Sequence, residues 1–392
     1  MPAPARERNS IRRRRSSRGF VVQSAPADRF KKKEAEPLLQ ELLRQPAAER
    51  RRRVEEDEAY RTWALAERAA FASVKLAAHD ADAAVDLARL AVRMAELTPG
   101  SEEWRSRLGG LCSGLLANAI RVKGDFPRAD ATFRRSDQLW LAGAGADPGQ
   151  LLDGMVLLEL KASLRRHQGR FEEALDLLER ALGASSSAEV TARILLVQSF
   201  TLKEMGDSQG AIEALEQARP LVEKHGDLRA SFALEFNLSA SLADAGRYVQ
   251  AEALLPKVTG MAVQLGNGLD LLRCRWLRGR LAAGQGQLEK AVAELEGVAG
   301  ELVVLAIAFD AGRACLDLAE LYLRQGRTAE VKRLSGQMVS VFRAQQVHRE
   351  ALAAVILFQE AAEQERATVE LARRLAAYLR RAQHDPALRF EL

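Results

Sequence analysis

The feature that most constrains the fold is a helical segment that recurs along the chain at intervals of 37 to 45 residues. The clearest copy, GRFEEALDLLERAL, begins at Gly169 with a turn glycine, an aromatic residue, and then alanines and leucines at helical spacing. Related copies begin at Gly124, Gly206, Gly246, Gly286 and Gly326, and a copy without the glycine begins at His79. A period of this length, with two apolar-faced helices and one short turn per unit, predicts a helical solenoid.

Small and large residues occupy fixed positions after each turn. The fifth residue after the turn position is expected to be small, because the two helices of a unit cross closely there. This position holds Ala84, Ala129, Ala174, Ala211, Ala251 and Ala291. The residue four positions further on is bulky in most units, as at Phe133 and Leu178, and is predicted to fill the space between neighbouring units.

Composition and charge divide the chain into parts. Ala, Leu, Glu and Arg dominate, which favours helices over strands. Residues 1–33 carry a net charge of +9, whereas the whole chain carries only +5, so the rest is mildly acidic. We predict a disordered basic leader over 1–33, an N-terminal helical segment over 34–61, about seven repeats over 62–348, and C-terminal capping helices with a tail over 349–392.

The order glycine, aromatic, alanine, large apolar residue, alanine resembles the second-helix half of the tetratricopeptide repeat, abbreviated TPR. The longer period of most units is similar to the extended repeats of bacterial signalling and transcription regulators. The resemblance implies an all-α fold, a right-handed superhelical solenoid of antiparallel helix pairs. It also implies a non-enzymatic scaffold that binds a protein or peptide partner.

No motif for catalysis or cofactor binding is found in the sequence. Phosphate-binding glycine loops, GxSxG and HExxH are absent, and the five histidines are isolated from one another. Cys112, Cys274 and Cys315 are scattered without metal-ligand spacing, which favours buried free thiols. We therefore expect no enzymatic activity, no cofactor and no metal site.

A peptide groove is predicted on the first helix of each unit, because these helices line the concave surface of such a solenoid. Counting back from each turn glycine selects Arg166, Arg193, Phe200, Lys203, Phe236, Arg273, Trp276, Arg280 and Arg313. Arginines beside aromatic rings suit an acidic or carboxylate-ended peptide. Asn118 and Asn237 lie on the same face and resemble the asparagines with which the family binds a peptide backbone. Alternatively, these charges form only a solvated face, with Trp276 packed between units.

The basic leader has two readings in the sequence. Clustered arginines and lysines over 1–33 would neutralise phosphates of a nucleic acid, or they would form only a solvated tail. The arginine pairs before Phe20 are followed by no apolar run long enough for an export signal, and no apolar stretch is long enough to span a membrane. We expect a bacterial cytoplasmic protein, and the sequence leaves the oligomeric state open.

Overall fold

A computed structural model of the chain describes residues 25–77, 79–147, 151–185, 187–383 and 385–391. Over these ranges it contains eighteen α-helices, one short 3-10 helix at Glu58–Tyr60, and no β-strand. The first nine are α1 Ala25–Leu43, α2 Ala47–Glu56, α3 Trp63–Leu76, α4 Ala81–Leu97, α5 Glu102–Val122, α6 Phe126–Ala142, α7 Met155–His167, α8 Phe171–Ala184 and α9 Ala188–Met205. The others are α10 Ser208–His225, α11 Leu228–Asp244, α12 Tyr248–Leu265, α13 Gly268–Gly284, α14 Leu288–Val304, α15 Ala308–Arg324, α16 Thr328–Ala344, α17 Arg349–Glu363 and α18 Val369–Ala382.

Seven helix pairs run from α3 to α16, and each predicted turn position separates the two members of one pair. We call the helix before the turn the first helix and the helix after it the second helix. The six turn glycines have positive φ angles, from 70° at Gly326 to 96° at Gly206, a conformation that glycine adopts without a side-chain penalty. The predicted fold class, a right-handed all-α solenoid of antiparallel helix pairs, is confirmed.

Small side chains make the contact between the helices of a pair. The predicted alanines, from Ala84 to Ala291, are fully buried, and Val331 takes the equivalent position in the last pair. Gly279 on α13 brings the chain so close to α14 that an added Cβ would lie 2.9 Å from Leu295 Cγ. The bulky residue of the repeat therefore packs against the small residue of the first helix.

Side-chain caps fix where many of these helices begin. The Asp125 carboxylate accepts a hydrogen bond from Arg128 N at 3.1 Å, and Asp207 accepts one from Gly210 N at 2.8 Å. Asp227 accepts from two backbone amides of α11. Each cap satisfies a backbone donor that the helix itself cannot, which contributes about 1 kcal/mol.

The N-terminal helices extend the stack by packing against the first pair. α1 contacts α3, and its Ala35, Leu39 and Leu42 are buried. α1 begins at Ala25, so residues 25–33, which we predicted to belong to the leader, are helical. Residues 1–24 of the predicted leader lie outside the described residues.

The two C-terminal helices differ in their placement. We predicted both as closing helices, and α17 does continue the stack against α16. α18 instead turns back and makes its main contact with α15, where Leu379 lies beside Gly312. At its far end, Arg381 lies beside the turn glycine Gly169. This helix therefore crosses the concave face instead of ending the stack.

The three cysteines are free and buried, as predicted. Burial raises the pKa of Cys274 to about 11 and that of Cys315 to about 12. Both thiols are therefore protonated at neutral pH and act as small apolar core side chains. Among the described helices, none combines the length and apolarity that a membrane crossing requires.

Two glycine substitutions test the close approach of the helices. We expect them to change the stability of the fold in opposite directions. An added Cβ at Gly110 of α5 would lie 2.6 Å from Trp140 N of α6, so Gly110→Ala should destabilise the fold by about 1–3 kcal/mol. The matched change Gly260→Ala places its Cβ in open space on exposed α12 and should stabilise by about 0.5–1 kcal/mol. Urea unfolding midpoints measure both, and midpoints that shift in the same direction would contradict the close contact.

Candidate functional site

The first helices of five consecutive pairs and helix α18 enclose a cavity of about 540 Å³. Its lining side chains come from α7, α9, α11, α13, α15 and the C-terminal part of α18, including Gln383 at its end. No second helix contributes to the lining, because the second helices pack between neighbouring units. The volume lies within the range of roughly 300–1,000 Å³ that is usual for ligand sites.

Nine of the eleven predicted groove residues line this cavity. They are Arg166, Phe200, Lys203, Phe236, Asn237, Arg273, Trp276, Arg280 and Arg313. They lie together because each has a fixed sequence distance from its turn glycine, and the repeats place equivalent positions on the same face of the solenoid. Their role in binding remains a prediction.

Asn118 and Arg193 lie outside the cavity lining. Asn118 is buried, and its Oδ1 accepts hydrogen bonds from both Nε and Nη2 of Arg121, at 3.2 and 2.7 Å. Arg193 forms a two-pronged ion pair with Glu159, at 2.6 and 2.8 Å. Burial raises the pKa of the Glu159 carboxyl while Arg193 opposes that rise, and the bond to Glu159 raises the pKa of Arg193. Both side chains therefore have structural partners.

Ion pairs between neighbouring first helices neutralise most of the cations in the cavity. Arg166 Nη1 lies 2.6 Å from Glu204, and Arg273 Nη2 lies 3.4 Å from Asp310. Arg229 pairs with Asp270 in the same way. The partners in these pairs are 37 to 41 residues apart in sequence, which is about one repeat. The pairs therefore link successive units along the concave face.

Asp244 and Asp317 each contact two side chains of this ion-pair network. Asp244 accepts a hydrogen bond from Arg280 at 2.6 Å and lies 3.5 Å from the Lys203 ammonium. Burial alone would raise the pKa of Asp244, but Arg280 and Lys203 together lower it below its usual value. Asp317 accepts from Trp276 Nε1 at 2.7 Å and lies 3.8 Å from Arg280 Nε. Trp276 is thus fixed in orientation as well as buried.

Phenylalanines form an apolar wall on the same cavity. Phe232 and Phe236 stack with ring centroids 5.7 Å apart and planes tilted by 27°. Phe200 on α9 is 37% exposed, which is unusual for a large apolar side chain in this fold. The Asn237 amide donates to the Ala233 carbonyl at 2.6 Å beside them. The cavity therefore combines aromatic surface with charged groups, a combination typical of peptide-binding sites.

Two arginines of the cavity have little or no acidic partner. Arg313 Nη1 lies 3.5 Å from Asp310 without a hydrogen bond, and its guanidinium sits 5.0 Å from the Trp276 ring centroid. Burial is the largest cause that lowers the pKa of Arg313, and the positive charge of Arg380 is the second. Arg380 Nε is buried and lacks a hydrogen-bond partner among the described residues. The cavity therefore keeps unused guanidinium donors.

Several lining residues were not predicted from the sequence. They are Glu204, Arg229, Phe232, Asp270, Asp310, Asp317 and Arg380, together with smaller neighbours. The acidic members carry a signal in the sequence, since each lies about one repeat after the cation with which it pairs. Arg380 carries no such signal, because α18 lies outside the repeat register.

A second cavity, of about 590 Å³, lies between α4, α5 and α6. Small residues of α5, namely Ser106, Gly109 and Ser113, leave this space between the helices. None of the predicted groove residues lines it. The cavity beside α18 is the stronger candidate, because it holds both the aromatic wall and the unpaired guanidinium donors.

Comparisons with known proteins agree with this architecture. Residues 155–224, which span α7 to α10, match the family description "Tetratricopeptide repeat". The crystal structure of a Rap protein complexed with competence and sporulation factor is similar at 14% identity, with a TM-score of 0.58, and the match covers 81% of this chain and 87% of that one. The apo form of RapI is similar at 11% identity, with a TM-score of 0.51, and the match covers 81% and 98% of the two chains. At these identities the likeness shows the fold alone, and no curated protein matches the sequence significantly.

The titration of Lys203 tests the electrostatics of the cavity. Burial and, to a lesser extent, the charges of the neighbouring Arg280, Arg380 and Arg313 lower the pKa of this lysine from 10.5 to about 8, although the charge of Asp244 opposes the shift. Because the folded-state pKa lies below the unfolded value, the contribution of Lys203 to stability rises as the pH increases from about 8 to 10.5. Side-chain carbon NMR of the lysines should show one midpoint near 8.

Replacing Arg380 should move that midpoint upward, because the change removes a positive charge that opposes protonation of Lys203. The matched control is Arg374→Gln, on the same helix, where the arginine is exposed and donates to the Glu391 carbonyl. We expect the control to leave the midpoint unchanged. Identical midpoints in Arg380→Gln and wild type would mean that α18 does not lie against the cavity in solution.

Proposed function

We propose that this chain, in which residues 155–224 match the tetratricopeptide repeat, binds a peptide or protein partner in the cavity between its first helices and α18. The observation that carries this proposal is that the described lining of the cavity comes from first helices and α18 and includes no residue of a second helix. One face of each of these first helices is buried against other helices, whereas another face directs side chains into a cavity with an aromatic wall. Such a surface is free to vary without disturbing the fold.

The cavity has the features of a binding site for an extended peptide. Phe200, Phe232 and Phe236 offer apolar surface, and Asn237 lines the same cavity. Cations outnumber carboxylates along the lining, which favours a partner with acidic groups. A Rap protein with this fold has been solved as a complex, with competence and sporulation factor, which supports a binding role for the fold.

The proposed role is that of a non-enzymatic adaptor in signalling or regulation. The described residues of the cavity form ion pairs and an aromatic wall, but they contain no arrangement of nucleophile and base for catalysis. In this proposal the protein therefore acts by binding its partner. The setting that we propose is the bacterial cytoplasm, which rests on the Arg- and Ala-rich composition.

Filling the cavity should abolish peptide binding. Ala233 of α11 lines the cavity, so Ala233→Phe places a ring inside the space of about 540 Å³. We expect the full chain to retain peptides from a pool of random synthetic octapeptides, and Ala233→Phe to weaken retention at least about tenfold, or roughly 1.4 kcal/mol. Ala253→Phe, on the exposed face of the second helix α12, is the matched control and should bind like the wild type. Equal retention by all three proteins would place any binding outside this cavity.

Nucleic-acid binding through the leader is the second candidate function. Residues 1–24 contain seven arginines and one glutamate, and clustered arginines bind phosphates irrespective of base sequence. The deletion should end at residue 24, because α1 begins at Ala25 and packs against α3.

Deleting residues 1–24 should abolish binding to a 30-base-pair random-sequence duplex, measured by fluorescence anisotropy at 50 and 200 mM salt. The full chain should bind with an affinity that falls steeply between those salt concentrations. A full chain that does not bind the duplex, even at 50 mM salt, would exclude this function.

A further inference from the structure

Helix α18 has two distinct faces on the concave side of the solenoid. Ala372, Leu375 and Leu379 are buried in the contact with neighbouring helices. Ala376, Arg380 and Gln383 follow at intervals of four and three residues, so they share a different face, and all three line the cavity. α18 is therefore attached to the solenoid by one face and contributes a second face to the candidate binding site.

The guanidinium of Arg380 is the polar group that this second face brings to the cavity. Its Nε is buried without a hydrogen-bond partner, and the side chain forms no ion pair with any described residue. A buried donor without a partner costs about 1–3 kcal/mol, so such groups in folded proteins require an explanation. A ligand with an acceptor oxygen would satisfy this donor, and the surrounding charges indicate what kind of ligand it is.

The neighbouring charges leave a positive excess. Among the described residues, three carboxylates, those of Asp244, Asp310 and Asp317, face five cations, namely Lys203, Arg273, Arg280, Arg313 and Arg380. Two positive charges are therefore unbalanced, and Arg313 and Arg380, which both line the cavity, are the cations with the weakest acidic partners. The repulsion between these two guanidiniums contributes to the lowered pKa of Arg313.

We propose that Arg313 of α15 and Arg380 of α18 together bind a carboxylate of the peptide, either its C-terminus or an acidic side chain. The proposal rests on the peptide-binding function proposed above and names the group that the site recognises. Guanidinium groups bind carboxylates through paired, charge-assisted hydrogen bonds, and both arginines keep donors that no protein group uses. The phenylalanine wall would then hold an apolar side chain of the same peptide.

This arrangement makes α18 part of the ligand site. A carboxylate between Arg313 and Arg380 would join α15 to α18 and replace the repulsion between the two cations by attraction. Ligand binding would therefore hold α18 more firmly against the concave face. Amide hydrogens of residues 369–383 should exchange more slowly when a peptide is bound.

Two matched peptide pools test the proposal with the full chain. One pool consists of random octapeptides with a free C-terminal carboxylate and includes Asp and Glu. The other has C-terminal amides and lacks both acidic residues, so it contains no carboxylate. We expect the wild-type protein to retain the first pool at least about tenfold more strongly, and Arg380→Gln to remove that preference. Arg374→Gln, on the exposed face of α18, should keep it.

Two further measurements test the carboxylate site without relying on Arg380→Gln alone. Arg380→Lys preserves the charge but loses the fork of donors, so it should retain the preference only in part. Hydrogen exchange of wild-type α18, with and without a retained peptide, requires no substitution, and unchanged exchange would contradict the role of α18.

The possible failures are distinguishable. If both pools are retained equally and Arg380→Gln has no effect, the carboxylate subsite is wrong while peptide binding stands. If neither pool is retained, the proposed function itself fails, and the subsite fails with it.

Discussion

The contact between small side chains in each helix pair is the interaction on which the remaining structure depends. Fully buried alanines, such as Ala174 and Ala251, let the two helices approach closely, and bulky neighbours such as Leu178 are buried in the same apolar core. Replacing these small groups would separate the helices and disturb the stack, because interiors tolerate little added volume. These contacts occupy the buried faces of both helices, so the side chains that the first helices direct to the concave face take no part in them.

That freedom explains the charged concave face. Most of its cations pair with carboxylates one unit further along, as Arg166 does with Glu204 and Arg273 with Asp310. Half-buried pairs of this kind add little to net stability, because the removal of two charges from water offsets their attraction. Their clearer effect is orientation. They fix the side chains that line the cavity and leave Arg313 and Arg380 without comparable partners.

The sequence was sufficient to predict the fold because turn glycines mark six of the seven pairs and buried alanines mark the close contact in six of them. It also located most of the cavity, since residues such as Lys203 and Trp276 keep a constant distance from a turn glycine. It did not reveal that Arg193 is paired with Glu159, because counting from a turn glycine places a side chain on its own helix and does not give its partners on neighbouring helices. The repeat pattern could not predict that Arg380 lines the cavity, because α18 lies outside the repeats and its residues have no fixed distance from a turn glycine.

Helix α18 also limits what the concave face can accommodate. It runs from α15, where Arg373 pairs with Glu320, to the turn at Gly169, which Arg381 approaches. An open solenoid could hold a whole helix of a partner along its concave face, but here α18 lies across the first helices and leaves about 540 Å³. A short extended segment fits that space, whereas a folded partner would have to displace α18. Such displacement would break the contact between Leu379 and α15, so affinity for a larger partner would depend on how strongly α18 is held.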